Sequence, residues 1–325
     1  MNFRILIMDN FYPDILNESR VLSKINAELI RTHECKTEED LLNFVHKHGQ
    51  FDAIMTTFVP VRKRILDSLN TLKVIARYGV GYDIIDIPEA TKHGVSVVYV
   101  PDYCVDEVSD HAISLIFACY RKIVQLNNHV KSGKWGFGEF KPFYRLNKCT
   151  IGIVGLGRIG SKVAKKLNSF GVRIIACDPY INEEKIKEYN IELVSLTRIL
   201  KESDFITLHI PLNEDTHHLI GKSELNLLKK NAFIINTSRG KIINENYLIE
   251  TLKSNKIGGA ALDVVEEEPI YNSALVNFKN VILTPHVAFH SESSQSELQT
   301  KASEGVLDVL TKKRPKYLIN DELWD

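Results

Sequence analysis

The chain has 325 residues, of which 44% are hydrophobic and 25% are charged, which are the proportions of a globular protein. Its 41 basic residues balance 41 acidic ones, and no apolar run could span a bilayer, so neither a nucleic-acid nor a membrane partner is expected. The five cysteines form no CxxC pair, which argues against disulfides and a structural metal site and favours the reducing cytoplasm.

The first hundred residues alternate short apolar runs with amphipathic segments. The apolar runs predict strands at Phe3–Met8, Asp52–Thr56, Val74–Arg77 and Val95–Tyr99. Helical spacing between them predicts helices over Arg20–Ile30, Glu38–His48 and Val61–Asn70. This alternation is typical of a parallel sheet with helices on both faces. His93-Gly94 is typical of a helix end with glycine in the left-handed position.

The pattern changes after Pro101. Glu107–Leu126 is predicted to be one long helix, too apolar to face water alone. Six more apolar runs predict a second parallel sheet, at Thr150–Val154, Val172–Cys177, Phe205–His209, Ala232–Asn236, Gly258–Asp263 and Val281–Thr284, and a last helix covers about Ser294–Leu310. The predicted fold is α/β with two doubly wound parallel sheets. Residues 102–286 form a Rossmann dinucleotide-binding domain, inserted into a smaller, flavodoxin-like substrate domain made of 1–101 and 287–325.

A glycine-rich segment follows the first strand of the second sheet. Thr150–Gly160 reads TIGIVGLGRIG, and Ser161–Phe170 has helical spacing. In such a loop Gly155 permits a tight turn, Gly157 lets the backbone approach a pyrophosphate, and Gly160 lets the helix pack on the strand. The loop Gly155, Leu156, Gly157, Arg158, Ile159 and Gly160 is therefore predicted to bind a dinucleotide at the helix N-terminus.

The next strand ends at Asp178. An acidic residue there accepts a hydrogen bond from the ribose 2′-hydroxyl and repels a 2′-phosphate, so NAD is predicted rather than NADP. The alternative is that Asp178 is a turn residue before Pro179.

Three later strands run into segments with reactive side chains: IINTSRG with Arg239, AALDVVEEEP with Glu268, and LTPH with His286. Because strand carboxyl ends gather at the ligand crevice of a doubly wound sheet, the three side chains are predicted to converge. Taken singly, Arg239 could be a surface salt-bridge donor, Glu268 could solvate a turn as Glu266 and Glu267 do, and His286 could cap a strand.

Several motifs in this order resemble the D-isomer-specific 2-hydroxyacid dehydrogenase family between about Arg77 and Ala288. They are RYGVGYD, PDYCVDEVSDHA, VGLGRIG, LHIPLNEDTHHLIG, NTSRG, ALDVVEEEP and TPHVA. PDYCVDEVSDHA and PHVAFHSE look most like the C-terminal-binding-protein-like branch. The resemblance implies that Arg239 binds the substrate, that His286 is the acid/base, and that Glu268 is its carboxylate partner.

These residue types suit the implied reaction. Reduction of a 2-oxo acid places a hydride on C2, and a protonated imidazole can donate a proton to the keto oxygen. A neighbouring carboxylate stabilises the charged imidazole, and a guanidinium holds the substrate carboxylate.

The resemblance implies further contacts. The substrate carboxylate would lie on the backbone N–H groups of Val80 and Gly81, near Arg77, although this segment could be a simple strand-ending turn. Phe289 would face the substrate side chain or pack between domains. The adenine and ribose pocket would involve His209, Ile210, Pro211 and Thr216, and the nicotinamide side would involve Thr237, Ser238 and Asp263. His111 is interpreted as a packing or interdomain residue, with a direct role as the alternative, and Trp135 as part of an exposed aromatic loop.

Two functions are compatible with these features. The first is an NAD-dependent D-2-hydroxyacid dehydrogenase; the second is an NAD(H)-sensing, corepressor-like binding protein with little turnover. The intact Arg239, Glu268 and His286 favour the enzyme. In the family the long apolar helix is buried in a two-fold dimer, so a homodimer is predicted.

Overall fold

The computed structural model describes residues 3–8, 12–181 and 190–324. The chain divides into two compact units, Met1–Cys104 with Ser291–Asp325, and Val105–His290. The boundaries predicted from the sequence follow residues 101 and 286. Within the described residues, none of the helices combines the length and the apolar character needed to cross a membrane.

The first unit contains a parallel five-stranded sheet. Its strands are β1 (Arg4–Met8), β2 (Glu28–Thr32), β3 (Ala53–Thr56), β4 (Val74–Arg77) and β5 (Ser96–Val98). Their order is β2-β1-β3-β4-β5, which is the flavodoxin-like order, and the predicted fold of this part is confirmed. Strands β3 and β4 are buried throughout, which explains why they appear in the sequence as unbroken apolar runs.

The helices of the first unit cover this sheet. They are α1 (Leu16–Leu22), α2 (Glu38–His48), α3 (Lys63–Ser68), α4 (Ile87–Lys92) and, from the end of the chain, a helix over Glu292–Leu310. α4 ends as predicted, with Gly94 at a φ of +69°. The predicted helix over Arg20–Ile30 is wrong beyond its first turns. Asn26 is left-handed, and the chain then pairs with β1 as the edge strand β2, because backbone pairing there outweighs the helical spacing.

The second unit contains a parallel seven-stranded sheet. Its strands are β6 (Thr150–Val154), β7 (Arg173–Cys177), β8 (Glu192–Leu193), β9 (Phe205–Leu208), β10 (Phe233–Asn236), β11 (Gly259–Leu262) and β12 (Val281–Leu283). The order β12-β11-β10-β9-β6-β7-β8 places β6 beside β9, so the direction of winding reverses there, and the predicted Rossmann fold is confirmed. The two-residue strand β8 was not predicted, since it is too short to give a pattern.

The described helices of the second unit are α5 (Val105–Arg121), α6 (Ile123–Lys131), α7 (Arg158–Asn168), α8 (Leu196–Glu202), α9 (Lys222–Asn226) and α10 (Glu245–Lys253); the helix Glu292–Leu310 of the first unit is α11. The single helix predicted over Glu107–Leu126 is wrong, because Lys122 adopts a left-handed φ of 56° and separates α5 from α6.

The apolar face of α5 is covered within its own unit. Ala112, Ile116 and Cys119 are buried in the core that packs on β6 and β11. By contrast, α6 has no fully buried residue and exposes Ile123 and Val130. The homodimer stays a prediction. Exposed apolar side chains that a partner subunit could cover lie on α6.

Candidate active site

The three reactive side chains predicted from the sequence follow neighbouring strands. β10, β11 and β12 lie side by side, with Asn236 paired to Leu262 and Leu262 paired to Leu283. Because these residues end their strands in register, the segments that carry Arg239, Glu268 and His286 leave the sheet at the same edge.

His286 and Glu268 form a hydrogen-bonded pair. Nδ1 of the imidazole lies 2.7 Å from Oε2 of the carboxylate; the His286 side chain is 26% exposed and that of Glu268 is 35% exposed. The other carboxylate oxygen, Oε1, accepts from the backbone N–H of Val265 at 3.2 Å. One oxygen is therefore held by the turn and the other holds the imidazole. The ring of Phe289 lies edge-on to that of His286, 6.1 Å between centroids.

The loop that carries His286 wraps around a buried carboxylate. Oδ1 of Asp263 accepts from the Thr284 hydroxyl at 2.6 Å and from the Val287 N–H at 2.9 Å, and Oδ2 accepts from the Ala288 N–H at 3.0 Å. His286 itself has a left-handed φ of 52°, and its N–H donates to the Asp263 carbonyl at 2.8 Å. Asp263 therefore positions His286, a role that its place in the sequence does not predict. Its predicted contact with the nicotinamide stays a prediction.

His111 supports the same loop from α5. Its Nε2 lies 3.1 Å from the Thr284 hydroxyl and 3.6 Å from Oδ1 of Asp263. These contacts lie within the second unit, and they favour the interpretation of His111 as a packing residue behind the His286 loop.

The Arg239 loop packs on the turn that carries Glu268. The Asn236 side chain donates to the Arg239 carbonyl at 2.8 Å and accepts from the Ser238 N–H at 3.0 Å, which fixes the loop after β10. A Cβ added to Gly240 would lie 1.9 Å from the Val265 carbonyl oxygen, so only glycine allows this contact. The half-buried Arg239 side chain donates through Nη1 to the Ser238 carbonyl at 2.8 Å.

The glycine loop has one packed side and one open side. A Cβ on Gly155 would lie 2.4 Å from the His209 carbonyl oxygen, and one on Gly160 would lie 2.0 Å from the Gly155 carbonyl oxygen. A Cβ on Gly157 would meet nothing within 4 Å. Gly157 caps α7 without any side-chain hydrogen bond, so the first N–H groups of the helix remain available for an anion. The loop therefore has an open face with backbone N–H groups, as binding of a pyrophosphate requires.

Asp178 is bound to the same loop. Its Oδ2 accepts from the Leu156 N–H at 2.8 Å, and its Oδ1 accepts from the Tyr180 N–H at 2.9 Å. Each oxygen keeps a second lone pair, so the carboxylate can still accept from a ribose hydroxyl.

Two buried polar atoms near the ends of β9 and β10 have no hydrogen-bond partner among the described residues: Nδ1 of His209 and Oγ1 of Thr237. Nε2 of His209 lies 2.9 Å from the Thr207 hydroxyl, and burial lowers the pKa of His209 from 6.5 to about 3, so the ring is neutral. The unpartnered Thr237 hydroxyl and the open glycine face both fit a dinucleotide that would bring its own polar groups.

The loop after β9 is closed on itself. The Thr216 hydroxyl donates to the Pro211 carbonyl at 2.6 Å and accepts from the Asn213 N–H at 2.8 Å, while Ile210 packs on Gly155. Contacts of this loop and of Ser238 with the cofactor stay predictions.

In the first unit, Arg77 ends β4 and is buried beneath the turn that follows. A Cβ on Gly79 would lie 2.1 Å from Nη1 of Arg77. Val80 and Gly81 are partly exposed, and within the described chain neither of their N–H groups donates to another protein atom. The turn is thus suited to bind an anion, and its role in substrate binding stays a prediction.

A buried carboxyl that was not predicted from the sequence anchors this turn. Glu18 accepts from the Tyr78 hydroxyl at 2.8 Å and from Gln299 at 3.0 Å, and burial raises its pKa. The three residues are far apart in the chain, so no local signal points to them. Trp135, predicted to be exposed, is 91% exposed.

The site has the features of a dinucleotide-dependent oxidoreductase: parallel α/β sheets, an open glycine loop and an imidazole–carboxylate pair at a strand edge. Residues 113–288 match the family described as D-isomer specific 2-hydroxyacid dehydrogenase, NAD binding domain. A glyoxylate reductase of Thermococcus litoralis is 40% identical over 286 residues, which cover 86% of each chain.

Other relatives extend the comparison. A D-3-phosphoglycerate dehydrogenase of Methanocaldococcus jannaschii is 36% identical over 318 residues, covering 98% of this chain and 59% of the relative. The crystal structure of a D-lactate dehydrogenase of Aquifex aeolicus, complexed with NAD and lactic acid, is similar with a TM-score of 0.84 and 26% identity, covering 95% and 96% of the two chains. The chain belongs to the D-isomer-specific 2-hydroxyacid dehydrogenase family and is an NAD-dependent oxidoreductase. The predicted family and cofactor are confirmed; the C-terminal-binding-protein-like branch stays a prediction.

Proposed function

We propose that this enzyme reduces a small 2-oxo acid to the D-2-hydroxy acid, with His286 as the acid/base, Glu268 as its partner and Arg239 as the substrate-binding cation. The observation that carries the proposal is the 2.7 Å hydrogen bond between His286 and Glu268, at the sheet edge where the Arg239 loop also leaves. The relatives named glyoxylate reductase support a short substrate, because their similarity spans most of both chains.

NADH, when bound, supplies the hydride that goes to C2 of the substrate. The imidazolium of His286 donates its proton to the keto oxygen, which stays bonded to C2 and becomes the hydroxyl of the product, and in the reverse direction the neutral ring accepts that proton. Glu268 stabilises the charged ring and fixes its orientation. The Arg239 guanidinium binds the substrate carboxylate.

The test is NADH oxidation with a panel of glyoxylate, pyruvate, hydroxypyruvate and a larger apolar 2-oxo acid. We expect turnover that falls by about 10²–10⁴-fold in His286→Asn, a replacement that tolerates the left-handed backbone of this position. NADH binding without turnover on any panel member would refute the proposal. That outcome, together with NADH-dependent capture of partner proteins, would favour the corepressor-like function.

The ring of Phe289 lies beside His286, so an apolar substituent on the substrate is the expected preference among the longer acids. The cytoplasmic location and the homodimer also stay predictions.

A further inference from the structure

A second imidazole–carboxylate pair lies behind the proposed catalytic turn. Glu266, two residues before Glu268, is half-buried, and its Oε1 lies 2.8 Å from Nε2 of His218. The same oxygen accepts from the backbone N–H of Glu245 at 2.9 Å, and the Glu266 N–H donates to the Glu245 carboxylate at 3.2 Å. The interpretation of Glu266 as a solvated turn residue is therefore wrong: its side chain ties the turn to two other segments.

His218 contacts the Arg239 loop as well. Its backbone N–H donates to the Lys241 carbonyl at 2.8 Å, in the 3-10 turn Gly240–Ile242 that directly follows Arg239. His218 thus contacts two segments. Its backbone binds the segment that carries Arg239, and its ring binds Glu266 in the turn that carries Glu268.

The hydrogen bonds indicate which ring nitrogen of His218 carries the proton. Oδ1 of Asn244 accepts from the Tyr247 N–H at the start of α10, so its amide nitrogen is the donor toward Nδ1 of His218, 3.2 Å away. Nδ1 then accepts and Nε2–H donates to Glu266. An imidazole with its proton on Nε2 satisfies each of these hydrogen bonds.

We propose that His218 and Glu266 are positioning residues that clamp the Arg239 loop and the Glu268 turn in the geometry that the reaction needs. The inference rests on the proposed function of His286, Glu268 and Arg239. Misplacement of a catalytic group by about 1 Å can cost roughly 10²-fold in rate, so a clamp of this kind has a measurable effect although neither side chain meets the substrate.

Four variants test the clamp. Glu266→Ala removes all side-chain bonds, whereas Glu266→Gln keeps an oxygen that can accept from His218 and Glu245. His218→Asn tolerates the left-handed φ of 53° but is too short to reach Glu266. Glu267→Ala is the matched control, because Glu267 lies in the same turn, is exposed, and has no hydrogen bond or ion pair to another described residue.

We expect Glu266→Ala and His218→Asn to lower kcat for 2-oxo acid reduction by roughly 10- to 100-fold, with the Kd of NADH unchanged and with most of the rate restored in Glu266→Gln. Glu266→Ala removes a negative charge whereas His218→Asn replaces a neutral ring, so a simple charge effect on His286 would shift the pH–rate profile of Glu266→Ala and leave that of His218→Asn in place. A kcat of Glu266→Ala equal to that of Glu267→Ala, or a shifted profile in Glu266→Ala without loss of kcat in either variant, would overturn the proposal.

Amide hydrogen exchange separates this inference from the proposed function. The Val265 N–H donates to Glu268, so its exchange reports whether Glu268 keeps its place without any need for turnover. If the unmodified enzyme reduces no 2-oxo acid, the proposed function fails. The exchange rate of the Val265 N–H then still tests whether Glu266 and His218 hold the Glu268 turn in place. Faster exchange at Val265 in Glu266→Ala than in Glu267→Ala supports it, and equal rates overturn it.

Discussion

Nδ1 of His286 lies 2.7 Å from Oε2 of Glu268, although 18 positions separate the two residues in the chain. The pair forms because each residue follows a strand of one parallel sheet, and because the second oxygen of Glu268 is held by the Val265 N–H. The carboxylate is thus oriented before any substrate binds, which is the condition for an effective acid/base pair.

Replacing Glu268 with Gln should lower kcat for reduction and move the alkaline limb of the pH–rate profile, where the proton donor is lost, to lower pH. The neutral amide no longer stabilises the imidazolium of His286, so the proton donor is present over a narrower range. The loss of kcat should be smaller than in His286→Asn. That variant lacks the proton donor itself, so its kcat should fall by roughly 10²–10⁴-fold. Steady-state kinetics across the pH range measure it, and Glu267→Gln is the control. Profiles that superimpose for Glu268→Gln and the unmodified enzyme would rule out the pairing as a catalytic feature.

Replacing Asp263 with Asn should impair both stability and rate. The buried carboxylate accepts hydrogen bonds from Thr284, Val287 and Ala288. Asn replaces one of the two accepting oxygens with an NH2 group, so at least one of these hydrogen bonds is lost. An unsatisfied buried donor costs about 1–3 kcal/mol, so urea unfolding should show a loss of that size. The rate should fall as well, because the loop that holds His286 loses its anchor. The exposed Asp215→Asn is the control, and an unchanged unfolding midpoint in Asp263→Asn would contradict the prediction.

The glycine loop offers a matched pair of substitutions. Gly157→Ala enters open space, so the fold should persist while the affinity for NADH falls by roughly 10-fold, about 1.4 kcal/mol. Gly160→Ala places a Cβ 2.0 Å from the Gly155 carbonyl oxygen, so it should destabilise the second unit by about 1–3 kcal/mol. Thermal unfolding and NADH fluorescence titration separate the two effects. Normal NADH affinity in Gly157→Ala would place the pyrophosphate elsewhere.

The half-buried His209 should make stability depend on pH. Burial lowers its pKa to about 3, whereas in the unfolded chain it takes up a proton below its ordinary value of 6.5. The stability that the neutral His209 ring contributes is therefore fully present above pH 6.5. It is lost as the pH falls toward about 3, by at most about 1.4 kcal/mol per pH unit. His209→Gln should flatten the pH dependence of the free energy of unfolding in this range, and the exposed His46→Gln should not. Parallel curves for His209→Gln and the unmodified protein would contradict the assignment.

Much of the fold follows from local patterns. Strands such as β4 and β6 are buried on both faces, so their apolar runs are continuous and easy to identify. The edge strand β2 was mistaken for helix, because its residues are only partly buried and only its pairing with β1 selects the extended form. The break at Lys122 was also missed, since a left-handed lysine has no sequence signal of its own.

The sequence alone determined the residue types at the strand ends, the glycine loop and hence the chemistry that the chain can perform, because each of these signals lies within a few consecutive residues. Tertiary structure alone decided how the reactive groups are held: Asp263 beneath the His286 loop, and His218 bonded to Glu266 from 48 positions away. Such contacts depend on which strands become neighbours and on their register, and a linear pattern contains no record of either.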